Sequence, residues 1–316
     1  MHRIVLLLLL MLGTLGATHA HACPAGVYTS VAGDFVVLVP VSTIPSPGLR
    51  YLFRDGRRGS TLDAAAPLQC EQGKVSVRAP GIPATTWSRL PLVETDATFS
   101  SLGTALAGRL IEPRTADAHL PLVVMVHGSE RSPALASPYA YALAAQGIRV
   151  FVYDKRGTGA SQGEYTQNFE LLADDAAAAL RQARTMAQGR YARAGYYGGS
   201  QGGWVAPLAA TRAPADFVAV GFGLVVSPID EDREQMIDEA RGARLGAGAG
   251  AAINRLSDAT ARLLTTHFED GFEPLEQLRR DLAKQPWIDK IHGEHSGAML
   301  RTSDADLRRV GRARFD

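Results

Sequence analysis

The sequence predicts an α/β fold, a mostly parallel sheet with flanking helices and a helical C-terminal segment, preceded by a small β-rich module. Three observations carry this. Between residues 93 and 229, short continuous apolar runs alternate with alanine-rich helical stretches, which is how strands covered on both faces read in sequence. Residues 23–92 break into short β-rich runs separated by Pro and Gly. Residues 230–316 keep helical periodicity but contain no β-branched run of strand length.

The chain begins with Met1-His2-Arg3, an apolar run to Leu12 and small residues ending Ala20-His21-Ala22. A basic start, a short apolar stretch and an Ala-x-Ala site form a signal peptide pattern over 1–22, so a periplasmic or secreted protein is expected. The apolar run is too short to cross about 30 Å of hydrocarbon as a helix. After cleavage only Cys23 and Cys70 remain of the 316 residues. They form an even pair in a compartment where disulfides persist, and the alternative is two unpaired thiols.

In the β-rich module the strand candidates include Asp34–Val39 and Lys74–Val77, with a turn at Asp55-Gly56. Leu122–Val126 and Arg149–Tyr153 are apolar enough to be buried strands, and the helix between them, Tyr139–Ala145, stops at Gly147. A helix is expected over about 169–186, with Asp174 and Asp175 in its first turns favouring the dipole. A strand at Ala194–Tyr197, a glycine-rich turn, a helix through Trp204 to Ala210 and a last strand at Phe217–Val226 complete this region. Leu245–Gly250 is a hinge or a loose helix, because interior glycine costs up to about 1 kcal/mol relative to alanine.

Composition excludes some partners. With 33 basic and 32 acidic residues, a net charge of +1 and both signs mixed along the chain, no strong field draws nucleic acid or an anionic membrane. A small molecule is the expected partner, and no cofactor or metal is expected.

Chemistry concentrates at Gly198-Gly199-Ser200-Gln201-Gly202-Gly203, between an expected strand and an expected helix. The order strand, G-x-S-x-G, helix makes a sharp turn that projects a serine hydroxyl, with the following helix aiming its N-terminus at the same place. Ser200 is the candidate nucleophile. Acyl transfer also needs donors for the charge that grows on the carbonyl oxygen. The backbone N–H groups of Gln201 and of Ser129, in His127-Gly128-Ser129 at the end of the earlier strand, are the candidates. His127 is read as a structural histidine fixing that loop.

With Leu106–Pro113, Val126–Ser129, Tyr153–Ser161 and Gly199–Gly203, the chain resembles the α/β-hydrolase superfamily. Within it the likeness is to bacterial esterases grouped with serine aminopeptidase-like hydrolases, and it covers about residues 95 to 230. The resemblance implies that Asp154 and Arg156 order the backbone beside the site, as scaffold. It also implies an acid after a seventh sheet strand and a histidine after an eighth. Neither strand is visible here, and 230–316 resembles a helical cap. The expectation is therefore a chain lacking the last sheet strands, with its acid and base not identified and its activity reduced. Asp230 and Asp232 are the acid candidates by position, against the plainer reading of helix N-terminal charge. His267, His292 and His295 read as surface histidines of the cap. The implied function is hydrolysis of carboxylic esters or short acyl compounds through an acyl-enzyme on Ser200. The alternatives are a peptidase or amidase of the same fold, or an inactive remnant that binds without turnover.

Overall fold

The computed structural model describes residues 23–40, 48–71, 74–79, 82–114, 119–223 and 225–315. The leader expected over 1–22 lies outside them. Among the described residues one compact unit ends at Arg89 and a second begins at Leu90.

The first unit is a seven-stranded sheet of β1 (Gly26–Thr29), β2 (Phe35–Pro40), β3 (Leu49–Phe53), β4 (Arg58–Ser60), β5 (Leu68–Glu71), β6 (Lys74–Ala79) and β7 (Ile82–Leu90), in the order β4-β3-β2-β1-β7-β6-β5. The expected turn at Asp55-Gly56 joins β3 to β4. Val36, Leu38, Tyr51, Phe53, Val75 and Val77 fill the core of this unit. Cys23 and Cys70 are joined by a disulfide with their Cα atoms 5.1 Å apart.

The second unit opens with a long antiparallel pair, β8 (Leu92–Ser101) and β9 (Thr104–Pro113). It continues with β10 (Leu122–Val126), α1 (Pro138–Ala144), β11 (Arg149–Tyr153), α2 (Phe169–Met186), β12 (Ala194–Gly199), α3 (Gly202–Arg212) and β13 (Phe217–Gly221). Sheet order is β13-β12-β10-β11-β9-β8. The pairs β11/β10, β10/β12 and β12/β13 are parallel, and β9 runs antiparallel to β11. All five residues of β10 and all five of β11 are buried, which explains their unbroken apolar runs. The chain leaves β10 for β11 on one side and returns through α2 to β12 on the other. The carboxyl ends of β10 and β12 are thus neighbours at a switch point, where open α/β sheets form their binding crevices.

Alanine makes the fit of α2 close: Ala173, Ala176, Ala177, Ala179 and Ala183 are fully buried with Leu122, Val124, Phe151 and Tyr196. The helix is capped by Asn168, whose side chain accepts from Leu171 N at 2.9 Å. Its acids differ from the sequence expectation. Only Glu170 lies in the first turn. Asp175 faces inward, fully buried against Arg156, and Asp174 pairs with Arg212.

The strand expected to reach Val226 ends at Gly221, because Phe222 takes a left-handed φ of 63° that an extended chain cannot continue. Five α-helices follow among the described residues, α4 (Pro228–Gly242), α5 (Ala247–Thr265), α6 (Phe272–Leu282), α7 (Ser296–Arg301) and α8 (Asp304–Phe315), with a short 3-10 helix at Ile288–Lys290 between α6 and α7. The glycine-rich 245–250 stretch is the start of α5, with Gly246 as its N-cap. These helices enclose a cluster of their own, centred on Met236, Ile253, Leu256, Leu263, Phe268 and Leu275. No described helix is long and apolar enough to cross a membrane.

Candidate active site

Ser200 is the first of the two residues, Ser200 and Gln201, that turn the chain from β12 into α3. Its φ is +52°, a left-handed conformation that side chains other than glycine rarely adopt, and the residue is exposed. Two backbone bonds hold it there, Ser200 N to Gly221 O at 3.0 Å and Gly203 N to Ser200 O at 2.6 Å. The turn is this tight because the strand and helix touch through glycine. A Cβ on Gly198 would collide with the Gly202 carbonyl.

Across the crevice, the loop after β10 approaches Ser200 at Gly128. A Cβ there would lie 3.4 Å from Ser200 Cβ, at van der Waals contact, so the two segments touch at this point. The backbone N–H groups of Gln201 and Ser129 bond no acceptor among the described residues. The structure brings both expected donors to the ends of adjacent strands, beside the exposed serine.

A ring of hydrogen bonds surrounds this loop. Lys155 Nζ donates to Gly128 O at 2.5 Å and lies 3.4 Å from Gln201 Oε1. Gln201 Nε2 donates to Gln167 Oε1. Gln167 Nε2 donates to Tyr165 Oη, and Tyr165 Oη donates to Ser129 O, each at 2.5 Å. The sequence reading placed no function on Lys155, Tyr165 or Gln167. Tyr165 and Gln167 lie in the irregular connection before α2, where no periodic signal marks them.

Residues 117–256 match the family model described as serine aminopeptidase, S33. This segment is similar to the α/β-hydrolases that the model describes. Solved structures similar to the chain include the Pyrococcus furiosus esterase Pf2001, at 23% identity over 46% of this chain and 56% of that one, with a TM-score of 0.36. Esterase Est22, solved with p-nitrophenol, is 20% identical over 38% of this chain and 39% of that one, TM-score 0.34. A Xanthomonas campestris serine hydrolase without a lid, XC6422, is 17% identical over 41% and 61%, TM-score 0.34. The chain thus spans about half or less of the first two. Comparison with curated proteins gives no match.

In this unit the loop after β11 is bound tightly from within. Asp154 accepts from the backbone N–H groups of Ala134 (2.6 Å), Leu135 (3.2 Å) and Ala160 (3.0 Å). Arg156 makes a two-pronged buried pair with Asp175, at 2.8 and 2.6 Å. Burial pushes the Lys155 ammonium down to about 8 against the opposing pull of Glu130. Glu130 is itself held down to about 2, chiefly by the His127 imidazole, whose Nδ1 is 3.7 Å away. His127 is buried, and neither ring nitrogen has a hydrogen-bond partner among the described residues.

The remaining candidates are engaged elsewhere. Asp230 accepts from Ser227 Oγ in the first turn of α4. Asp232 is buried and accepts from the N–H groups of His295 and Ser296 (2.8 and 3.1 Å) and from Ser296 Oγ (2.5 Å), closing the start of α7. His295 is half-buried, with Nδ1 3.5 Å from Asp232, and burial pushes its imidazole down. His292 is exposed near Glu239, and His267 is exposed after α5. Among the described residues no side chain hydrogen-bonds to Ser200 Oγ.

Proposed function

We propose that this chain acts on carboxylic esters or short acyl compounds, with Ser200 as the nucleophile. The observation that carries the reading is the exposed Ser200 at left-handed φ between β12 and α3, beside two unbonded backbone N–H groups. In this reading Oγ attacks the acyl carbon, and the N–H groups of Gln201 and Ser129 hold the oxygen that becomes negative. The serine proton leaves with the alcohol. Water then splits the acyl-serine to a free acid and restores the hydroxyl. The leader pattern supports a periplasmic or secreted location for this activity.

A second reading, binding without turnover, is favoured by one observation: no imidazole engages Ser200 Oγ among the described residues. A fluorophosphonate probe separates the two, since a covalent adduct requires an activated serine. We expect an adduct at Ser200 by peptide mass spectrometry, none in Ser200→Ala, and hydrolysis of p-nitrophenyl acetate by the same preparation. Absence of the adduct would establish the binding reading. The family model's description favours amide substrates, and faster turnover of an aminoacyl nitroanilide than of the nitrophenyl ester would replace the ester assignment.

A further inference from the structure

We infer that Lys155 is a positioning residue of this site, which holds the Gly128–Ser129 peptide so that the Ser129 N–H faces the reacting carbonyl oxygen. The inference rests on the proposed reading of Ser129 as an oxyanion donor.

A planar trans peptide carries its C=O and N–H on opposite sides, so whatever fixes one end aims the other. Gly128 O and Ser129 N–H are the two ends of one such unit. Lys155 Nζ takes the carbonyl end at 2.5 Å. The Ser129 N–H is thereby aimed away from Lys155, and it has no acceptor of its own among the described residues. A cation on the carbonyl also draws electron density along the peptide, which makes the N–H a stronger donor.

The rest of the ring keeps this arrangement in register with the serine. Lys155 also lies 3.4 Å from the side chain of Gln201, the residue whose backbone supplies the other donor. Tyr165 holds the next carbonyl, Ser129 O, and its ring lies 5.2 Å from Lys155 Nζ. Gly128 is otherwise free to swing, since glycine has the widest backbone freedom of any residue. A buried ammonium is a costly tether, and only 3% of Lys155 is exposed. Placing one under a glycine peptide beside the nucleophile is therefore hard to explain as packing, which an apolar side chain would serve better.

The charged and titratable groups around Lys155 are Glu130, His127 beside Glu130, and Tyr165 with Arg131 stacked 4.3 Å over its ring. Of these, Glu130 is the charge that opposes the burial of Lys155. Loss of the Lys155 proton near pH 8 weakens the hold on Gly128 O, so the rate should fall on the alkaline side of about pH 8.

The test compares wild type with Lys155→Met and Lys155→Arg. Removing an oxyanion donor outright lowers kcat roughly 10²–10³-fold, so mis-aiming one should lower it about 10- to 100-fold. We expect Lys155→Met to lose this factor in kcat on p-nitrophenyl acetate and in the rate of fluorophosphonate labelling. KM should change less than about threefold and the alkaline fall should disappear. Lys155→Arg, which keeps a cationic donor, should recover part of kcat. In wild-type protein, which needs no variant to fold, the amide ¹⁵N signal of Ser129 should shift with a midpoint near pH 8. Equal kcat in Lys155→Met and wild type, or a Ser129 signal that does not titrate near pH 8, overturns the inference. A wild type that is never labelled at Ser200 overturns the serine reading, and this inference with it.

Discussion

At the scale of single residues, the site combines one strained serine with one costly lysine. Ser200 was legible because glycine and serine at fixed spacing encode a local backbone requirement, which needs no knowledge of distant parts of the chain. Lys155 was not legible as part of the site, because its neighbours Gly128 and Gln201 are 27 and 46 positions away in sequence. Its burial has a measurable consequence. The ammonium sits at about 8 in the folded protein, against the ordinary lysine value of 10.5. Between those values the unfolded chain carries more protons, so stability should rise as pH climbs from about 8 to 10.5 and stay level below 8. The full gain is about 3 kcal/mol. Thermal melting across pH 7 to 10.5 should show wild type gaining on Lys155→Met through that window, and parallel curves would contradict it. The rise in stability runs opposite to the expected fall in rate, as it should if the charge is kept for function at a cost to the fold.

At the scale of elements, the strands and helices around the site are tied by a few buried polar pairs. Arg156 on the loop after β11 and Asp175 on α2 form the clearest one, with the aspartate side chain fully buried. Sequence reading took Asp175 for a first-turn charge, since position along a helix is visible and the face it turns inward is not. The structure gives it a different purpose, which is to neutralise an arginine on the loop that carries Lys155. Replacing Asp175 with Ala leaves that cation without its partner, which typically costs 3–5 kcal/mol. Urea unfolding should show an unfolding free energy lower by that amount for Asp175→Ala, and an unchanged value would mean that water reaches the pair. Asp232 teaches the same lesson in the C-terminal helices. Its place after the last expected sheet strand made it an acid candidate, but its two oxygens are taken up in closing the start of α7. At β13 the strand pattern ran past the real end of the strand. Val218 and Val220 are exposed, at 38% and 46%, so apolar texture there does not report burial.

At the scale of the whole molecule, two units with separate cores share one chain. The first is small and closed by the Cys23–Cys70 disulfide across 47 positions of sequence. In the chain-entropy account such a loop stabilises by about 4 kcal/mol. Adding a reductant should lower the melting temperature of the β-rich unit, as followed in a fragment-independent way by hydrogen exchange on β2 and β6 of the intact chain. Equal exchange in both redox states would show that the bridge contributes nothing. By itself the sequence determined the class of fold, the positions of β10, β11 and α2, and the serine turn. Each of these depends on local spacing of apolar residues or on glycine at a fixed offset, and such signals are complete within a dozen residues. Only the tertiary structure decided that the ends of β10 and β12 lie side by side, that Gly128 meets Ser200, and that Lys155 grips the peptide between them. Those facts depend on the order of strands in the sheet, which arises when the apolar faces of the whole domain are buried together and which no local stretch of sequence contains.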